Sequence, residues 1–455
     1  MLFQSQEFAL VFLPLTLMLF YASASHRALR EAILIVASLI FYAWWDVRFL
    51  PLFLGHIVVA WAGPVLARKT GRRAFTYAAI FLQLASLGLF KYSNFVIETV
   101  AAVLGVSLHG FDLVLPIGIS FFTFQLVSYL VDTLRSRIEP YPLRSILLYI
   151  SFFPHLIAGP IVRHNELLPQ FAFDPLRAGL AERLGKGATL FIIGMLKKVL
   201  LADQLARWAD PIFSSPASQI DFGSAWTGAL AFTFQLFLDF SAYSEMAIGM
   251  ALMFGLRLPS NFETPYRALD LRDFWRRWHI TLSTFLRDYI YIPLGGSRHG
   301  AGTYVVATMV TMSLCGLWHG AGWTFVVWGI LHGLGLIVCT YYQRVGLPLP
   351  IPVAWSLTML FVIIGWVIFR SPTLAAAGSF ISTMVGANGV SGNLEHVRTI
   401  SVAATVSILM PSSHNLLDRW LRPNIFLAWG MMASFVYVVL VVGRGQPVSF
   451  IYFQF

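Results

Sequence analysis

The chain has 455 residues, of which 58% are hydrophobic and only 11% are charged, and its formal net charge is +10. Soluble domains carry about 25% charged residues. The low charge and the long apolar runs therefore predict a multi-pass membrane protein. The excess of lysine and arginine falls in short loops, as in the positive-inside pattern, so it indicates contact with the lipid bilayer and no nucleic-acid partner.

Apolar runs divide the chain into a series of candidate membrane spans. In chain order they are Phe8–Ala24, Ala32–Trp45, Phe49–Leu66, Phe75–Phe90, Leu113–Leu134, Gly187–Leu201, Trp226–Leu256, Gly302–Trp318, Trp323–Tyr342, Val353–Phe369, Ile400–Met410 and Ile425–Val442. Several are shorter than the ~20 residues that a perpendicular helix needs, so we expect tilted, extended or half-length spans. The first run lacks a basic segment before it and is interpreted as a retained span. The basic loops, including those with Arg137 and Arg422, place the N-terminus outside.

Two segments differ from simple spans. Ser145–Ile161 is apolar but contains Pro154, Gly159 and Pro160, which break helices, so it predicts a re-entrant or interfacial element. Asp270–Gly296 mixes arginines with aromatic residues, a pattern typical of helices that lie flat at an interface or enter a protein-lined cavity. No linker separates a second domain, so residues 1–455 are predicted to form one all-α transmembrane domain.

Acidic residues occur inside the long apolar span that precedes the second of these segments. Asp239 and Glu245 stand there beside Tyr243. Buried acids in a membrane are costly and usually paired. Asp239 either holds a histidine or an arginine in place or lines an aqueous path, whereas Lys197 and Lys198, at the end of another span, are expected to extend toward the interface.

Several familiar motifs are missing from the sequence. There is no Gly-rich phosphate loop and no Gly-x-Ser-x-Gly elbow, so a nucleotide-driven pump and a serine nucleophile of this chain are not indicated. Cys315 and Cys339 lie in apolar segments and are interpreted as reduced packing residues, with no metal site.

Three histidines in or beside the membrane are the strongest candidates for chemistry. His319 lies in a run without any charged residue between Arg298 and Arg344, where an imidazole needs a partner or a cavity. Its free pKa near 6.5 suits general-base catalysis. His332 follows on the same run, and His279 lies upstream. On one unbroken helix His319 and His332 would be about 140° apart, so they share a cavity only if the intervening glycines break the helix. The alternative for each is a packing or interfacial histidine.

Seven segments together resemble the membrane-bound O-acyltransferase (MBOAT) family, in particular its bacterial branch of alginate O-acetyltransferase membrane subunits and teichoic acid D-alanyl transfer proteins. The matching segments are PIGISF (116–121), FPHLIAGPI (153–161), DFSAYS (239–244), DFWRRWHITLS (273–283), FLRDYIYIPLGG (285–296), GLWHG (316–320) and WGILHG (328–333). They occur in the same order over nearly the whole chain.

The resemblance implies a fold and a set of site residues. The fold would be a ring of roughly 11 to 13 helices with re-entrant segments and a central cross-membrane tunnel. His319 and His279 would be catalytic. Tunnel-lining or supporting residues would be His332, Asp239, Trp318 and Tyr243. Basic residues on the inner face, Arg276, Arg277 and Arg287, would hold an acyl donor.

The resemblance also implies an activity. An acetyl group would pass from a cytoplasmic thioester, acetyl-CoA, through the bacterial inner membrane to an extracytoplasmic SGNH-hydrolase-like acetyltransferase, which would esterify an exported polysaccharide such as alginate. No bound cofactor or metal is expected. Two alternatives stay open at this point: a proton-coupled lipid or solute transporter with a histidine relay, and a bis-histidine haem protein.

Overall fold

The structure is a computed structural model that describes residues 1–135, 138–392, 394–420, 424–443 and 450–451. Arg137 and Arg422, two of the loop residues named above, lie outside these ranges. The described residues form α-helices with short 3₁₀ and π-helical turns, and no β-strand occurs among them. The all-α class predicted from the sequence is confirmed.

The α-helices are labelled in chain order. Helices of the first half are α1 (Leu13–Ala22), α2 (Arg27–Ala43), α3 (Leu50–Thr70), α4 (Ala74–Leu87), α5 (Ser93–Leu104), α6 (Ile119–Leu134), α7 (Leu143–Ser151), α8 (Phe153–Leu156), α9 (His164–Leu167), α10 (Leu180–Leu196) and α11 (Asp203–Ser214). Those that follow are α12 (Phe222–Met253), α13 (Leu271–Arg277), α14 (Ile280–Leu286), α15 (Ala301–His319), α16 (Trp323–Val345), α17 (Ile351–Arg370), α18 (Leu374–Met384), α19 (Val397–Ala404), α20 (Ser413–Asn415) and α21 (Ile425–Gly443).

Within the described residues, seven helices are long and apolar enough to cross a membrane. They are Val47–Thr70, Ala74–Leu104, Phe222–Met253, Ala301–His319, Trp323–Val345, Ile351–Arg370 and Ile425–Gly443. The bent pair Val397–Leu409 and Ser413–Arg419 adds an eighth if it is one broken span. Shorter apolar helices cover Glu7–Ala22, Ile119–Leu134 and Leu374–Met384. The protein is therefore a multi-pass membrane protein.

Helix boundaries differ from the predicted spans where backbone conformation overrides hydropathy. The span predicted over Leu113–Leu134 begins only at Ile119, because Gly118 has a left-handed backbone (φ +73°) that starts the helix there. The span predicted over Phe75–Phe90 continues to Leu104 through a π-helical turn. Helix α18, of 11 residues, was not predicted from the sequence.

The described residues fall into two compact units. The first contains Met1–Ile192, Tyr243–Pro259 and Val442–Pro447, and the second contains Ile193–Ala242, Ser260–Val441 and Val448–Phe455. Whether the whole chain acts as one domain, and whether it encloses a cross-membrane tunnel, stay predictions.

In the first unit, the segment predicted to be broken is indeed interrupted. Helix α7 ends at Ser151 and the short α8 begins at Phe153, and both are buried at this junction. His155 Nε2 lies 2.9 Å from the Tyr149 carbonyl oxygen, so it donates, and Nδ1 accepts from the amide of Gln125 at 3.1 Å. Both ring nitrogens are used within the fold, which gives His155 a structural role.

In the second unit, α15 and α16 form a close hairpin. A Cβ atom at Gly316 would overlap the Phe325 carbonyl oxygen, and one at Gly329 would overlap that of Met312. Only glycine permits this approach of the two backbones. The helices are separated by Gly320–Gly322, and this short break places the end of α15 against the first turns of α16.

Candidate active site

His319 is the last residue of α15 and is buried. Aromatic rings surround its imidazole, with ring centroids at 5.0 Å for Trp318, 5.3 Å for Trp328 and 5.4 Å for Phe369. The His279 imidazole lies 6.4 Å from it. The two histidines predicted to be catalytic therefore lie close together in the structure, although 39 residues of chain (319 − 279 − 1) separate them.

His279 lies in the turn between α13 and α14 with a left-handed backbone, φ 44° and ψ 54°. This conformation is costly for a residue other than glycine and is often found at functional sites. It turns the fully buried imidazole toward Trp318, whose ring centroid is 5.9 Å away and which also packs on His319. Trp318 thus bridges the two histidines.

A single amide fixes the orientation of the His279 ring. Asn261 Oδ1 accepts from the Thr281 backbone N–H at 3.3 Å and lies 2.9 Å from Thr281 Oγ1 and 3.0 Å from His279 Nδ1. Because this oxygen is an acceptor, His279 Nδ1 must donate and Nε2 carries the lone pair. Within the described ranges Nε2 has no hydrogen-bond partner. Burial lowers the pKa of His279 to about 3, so the ring is neutral and Nε2 is available as an acceptor.

His332 joins the same cluster from α16. Its ring lies 4.5 Å from Trp328, and Trp328 lies 5.3 Å from His319. The indole N–H of Trp275 donates to His332 Nδ1 at 3.2 Å. The break at Gly320–Gly322 resets the helical rotation, so His319 and His332 contact one tryptophan despite their spacing.

Asp239 lies in a separate buried ion cluster. Lys198 Nζ is 2.8 Å from Asp203 Oδ1 and 2.9 Å from Asp239 Oδ1, and the backbone N–H of Ile451 donates to Asp239 Oδ2 at 2.9 Å. The expectation that Lys198 extends to the interface was wrong: its side chain is buried, because two carboxylates compensate its charge. Asp239 thus has a structural pairing role, but the expectation that its partner would be a histidine or an arginine was wrong, because the partner is Lys198.

Tyr243 belongs to the first unit, where its ring stacks on Phe3 at 4.5 Å. Glu245 is buried in the same unit. A tunnel-lining role for Tyr243 stays a prediction.

A cavity of about 530 Å³ in the second unit adjoins the histidine cluster. Its lining includes Arg272, Arg287 and Arg344, and Trp275, which donates to His332, forms part of its wall. Of the arginines predicted to hold an acyl donor, Arg287 lines this cavity and also pairs with Asp288 at 2.7 Å.

The other two predicted arginines are placed differently. Arg277 pairs with Asp273 at 2.9 Å, and Arg276 is exposed, and neither is among the cavity-lining residues. The rest of the cationic lining comes from Arg272, which begins the basic segment considered in the sequence, and from Arg344, which was not selected. An acyl-donor role for any of these arginines stays a prediction.

Comparison with known proteins identifies the family. Residues 39–376 match the model of the membrane-bound O-acyltransferase family, MBOAT. The chain belongs to the MBOAT family. The match includes the His279, His319 and His332 segments, so the histidine cluster described above is part of the family domain.

Named relatives narrow the MBOAT assignment. The chain is 38% identical over 427 residues to a peptidoglycan O-acetyltransferase of Helicobacter pylori, covering 86% of this chain and 81% of the relative. It is 42% identical over 404 residues to a probable alginate O-acetylase of Pseudomonas syringae pv. tomato, and the match covers 84% of this chain and 75% of the relative. A teichoic acid D-alanyltransferase of Streptococcus thermophilus is 28% identical over 238 residues, 50% of this chain and 57% of that protein. The protein is an O-acyltransferase, and this displaces the transporter and haem-protein alternatives.

Four residues of the MBOAT site escaped the sequence reasoning. Asn261 orients His279, and Trp275 orients His332. Trp328 packs between His319 and His332. Gly365 lies close to the rings of Trp328 and His332. Trp275 and Trp328 lie inside the family-like segments, which was the available signal. Nothing in the local pattern distinguishes Asn261 or Gly365 from ordinary loop and helix residues.

Proposed function

We propose that this O-acyltransferase takes an acetyl group from acetyl-CoA on the cytoplasmic side of the bacterial inner membrane and delivers it for O-acetylation of an exported polysaccharide. The acceptor system would contain an extracytoplasmic SGNH-hydrolase-like acetyltransferase, and the polymer would be alginate, peptidoglycan or a similar glycan. The observation that carries this proposal is the buried pair of imidazoles, His279 and His319, 6.4 Å apart, in an aromatic cluster that includes Trp275 of the arginine-lined cavity.

The cavity suits the donor end of the reaction. Three guanidinium groups can bind the phosphates of CoA, since arginine recognises phosphate through charge-assisted bidentate hydrogen bonds. Trp275 is part of the cavity wall and donates a hydrogen bond to His332. A thioester that enters with its CoA moiety among the arginines would direct its acetyl end toward the histidines.

The histidines suit the transfer step. A neutral imidazole accepts the proton of the acceptor hydroxyl while its oxygen attacks the thioester carbonyl carbon. The new C–O bond forms, the C–S bond breaks, and the imidazolium returns the proton to the departing thiolate. We assign the proton transfer to His319, with His279 Nε2 as a hydrogen-bond acceptor that orients the molecule carrying the hydroxyl.

The proposal is tested with purified protein in proteoliposomes, using [¹⁴C]acetyl-CoA and the acceptor components of the native membrane. We expect His319→Ala to reduce acetyl transfer by about 10²- to 10⁴-fold, the range of general-base catalysis. The matched control is His299→Ala, which changes an exposed histidine. Normal transfer by His319→Ala would reject the catalytic assignment, and transfer that does not depend on acetyl-CoA would reject the donor.

A further inference from the structure

Two buried N–H groups point to the same place beside Gly365. Trp328 and His332 are both fully buried, four residues apart on one face of α16. A Cβ atom on Gly365 of α17 would lie 3.3 Å from His332 Nε2 and 3.5 Å from Trp328 Nε1. Neither nitrogen has a hydrogen-bond partner in the part of the chain that the structure describes. The absence of a side chain at Gly365 leaves the space between them unfilled.

The hydrogen bond from Trp275 shows that both nitrogens are donors. An indole N–H can only donate, so His332 Nδ1 accepts it at 3.2 Å. The proton of the neutral His332 ring is then on Nε2, beside the N–H of Trp328. Two buried donors without an acceptor are costly and rare in native proteins. The pair therefore calls for an acceptor oxygen between them.

The position of the pair suits the reacting group. The Trp328 ring lies 5.3 Å from His319 on one side and 4.5 Å from His332 on the other. Trp275, which holds His332, forms part of the arginine-lined cavity. The two N–H groups thus belong to the chain of contacts that joins Trp275 of the cavity wall to the imidazole that we assign to proton transfer.

We propose that Trp328 Nε1–H and His332 Nε2–H bind the carbonyl oxygen of the acyl group during transfer. This inference rests on the proposed function. As the hydroxyl oxygen bonds to the carbonyl carbon, the π electron pair moves onto the carbonyl oxygen, and the two N–H groups stabilise that charge. When the C–S bond breaks, the pair returns to form the ester carbonyl, and the thiolate takes the proton from His319. Preorganised donors at such an oxygen are usually a large part of the rate enhancement.

The site is tested with two ligands that differ only in the carbonyl. We measure binding of acetyl-CoA and of S-ethyl-CoA, in which CH₂ replaces C=O, to the purified protein without an acceptor. The wild type should prefer acetyl-CoA by about five- to tenfold, the value of a net hydrogen bond. Trp328→Phe keeps an aromatic ring but loses the donor, and Gly365→Ala keeps both donors and fills the space. Both variants should lose the preference while their affinity for S-ethyl-CoA is unchanged.

The turnover rates provide a second readout. In both variants kcat should fall by about 10²- to 10³-fold, as when one oxyanion donor is removed. The control Trp429→Phe changes an exposed tryptophan of α21, and Gly378→Ala adds a methyl group where no atom lies within 4 Å. Both controls should behave as the wild type. If Trp328→Phe does not fold, Gly365→Ala still tests the site, because it alters no hydrogen-bonding group.

The outcomes separate the two proposals. If the variants keep the wild-type preference for acetyl-CoA, or if the wild type has none, the N–H pair holds a structural water only, and the carbonyl site is overturned while the proposed function stands. If the wild type binds neither ligand, acetyl-CoA is not the donor, and the carbonyl site falls with it.

Discussion

Asn261 offers the sharpest test of how the site is organised. Its Oδ1 accepts from Thr281 N–H, Thr281 Oγ1 and His279 Nδ1 at 3.3, 2.9 and 3.0 Å. Asn261→Ala removes all three interactions and leaves the buried His279 Nδ1–H unsatisfied. At about 1–3 kcal/mol for an unsatisfied buried donor, the variant should lose roughly 1–3 kcal/mol of stability.

The same change should affect catalysis through the tautomer. With Asn261 present, the proton of His279 is held on Nδ1 and Nε2 is the acceptor. A hydrogen bond worth about 1.4 kcal/mol favours this tautomer by a factor of about ten. Without it the ring also populates the tautomer protonated on Nε2, and it can rotate. We expect acetyl transfer to fall at least tenfold, with little change in the affinity for the donor.

The assay compares transfer rate, donor affinity and melting temperature in detergent for Asn261→Ala and for Asn388→Ala, an exposed asparagine of a connecting segment. The control should match the wild type in all three. Wild-type transfer by a destabilised Asn261→Ala protein would show that Asn261 supports the fold only. If the affinity for acetyl-CoA falls in parallel with the transfer rate, Asn261 acts on binding of the acyl donor instead of on His279.

Three further predictions concern packing and charge. Lys198→Met leaves Asp203 and Asp239 without their shared cation and should destabilise the protein by about 3–5 kcal/mol. The control is Lys197→Met, because the Lys197 ammonium lies over the Phe237 ring, and Lys198→Met should have the lower melting temperature of the two. Equal melting temperatures would contradict this prediction. Gly316→Ala should force α15 and α16 apart and abolish acetyl transfer. The control is Gly302→Ala on the same helix, where an added Cβ atom would meet nothing within 4 Å, and this variant should be active. An active Gly316→Ala protein would refute the close approach of the two helices. The pKa of His279 is about 3 in the folded state and near 6.5 in the unfolded state, so the unfolded state takes up a proton first as pH falls. The effect of His279 on the free energy of unfolding is therefore constant above pH 6.5, and below that pH His279 destabilises the folded state. Between pH 6 and 5 the free energy of unfolding of His279→Gln should depend on pH less steeply than that of the wild type, by about 1.4 kcal/mol per pH unit.

The fold was predictable wherever hydropathy alone determines structure. The windows around α15, α16 and α17 contain long runs without charge, and the helices occupy them almost completely. The prediction was less accurate where turn chemistry intervenes, as at Gly118, and it did not include α18. A hydropathy argument fails in both cases, because it has no information on left-handed turns or on tertiary support.

The site was predictable as a set of residues but not as an arrangement. His319 and His279 stand out because imidazoles are rare in apolar surroundings. Their partners are distant in sequence: Asn261 is 18 residues from His279, and Trp275 is 57 residues from His332. The spacing of His319 and His332 suggested opposite helix faces, and only the break between α15 and α16 reverses that conclusion. The pairing of Lys198 with Asp203 and Asp239 likewise depends on tertiary structure.

The neutral partners of the histidines have a consequence for the reaction. His279 is held by an amide and His332 by an indole, whereas Lys198, in the same unit, is held by two carboxylates. A carboxylate at the position of Asn261 would stabilise an imidazolium and raise the pKa of His279 from about 3 toward neutrality. Protonated His279 has no lone pair on Nε2, so Asn261→Asp should create an acid limb in the transfer rate between pH 5.5 and 8, where the wild type shows none from this residue. Rate profiles of the two proteins that coincide over this range would mean that the lone pair of His279 takes no part in transfer, and the amide would then serve only to shape the turn.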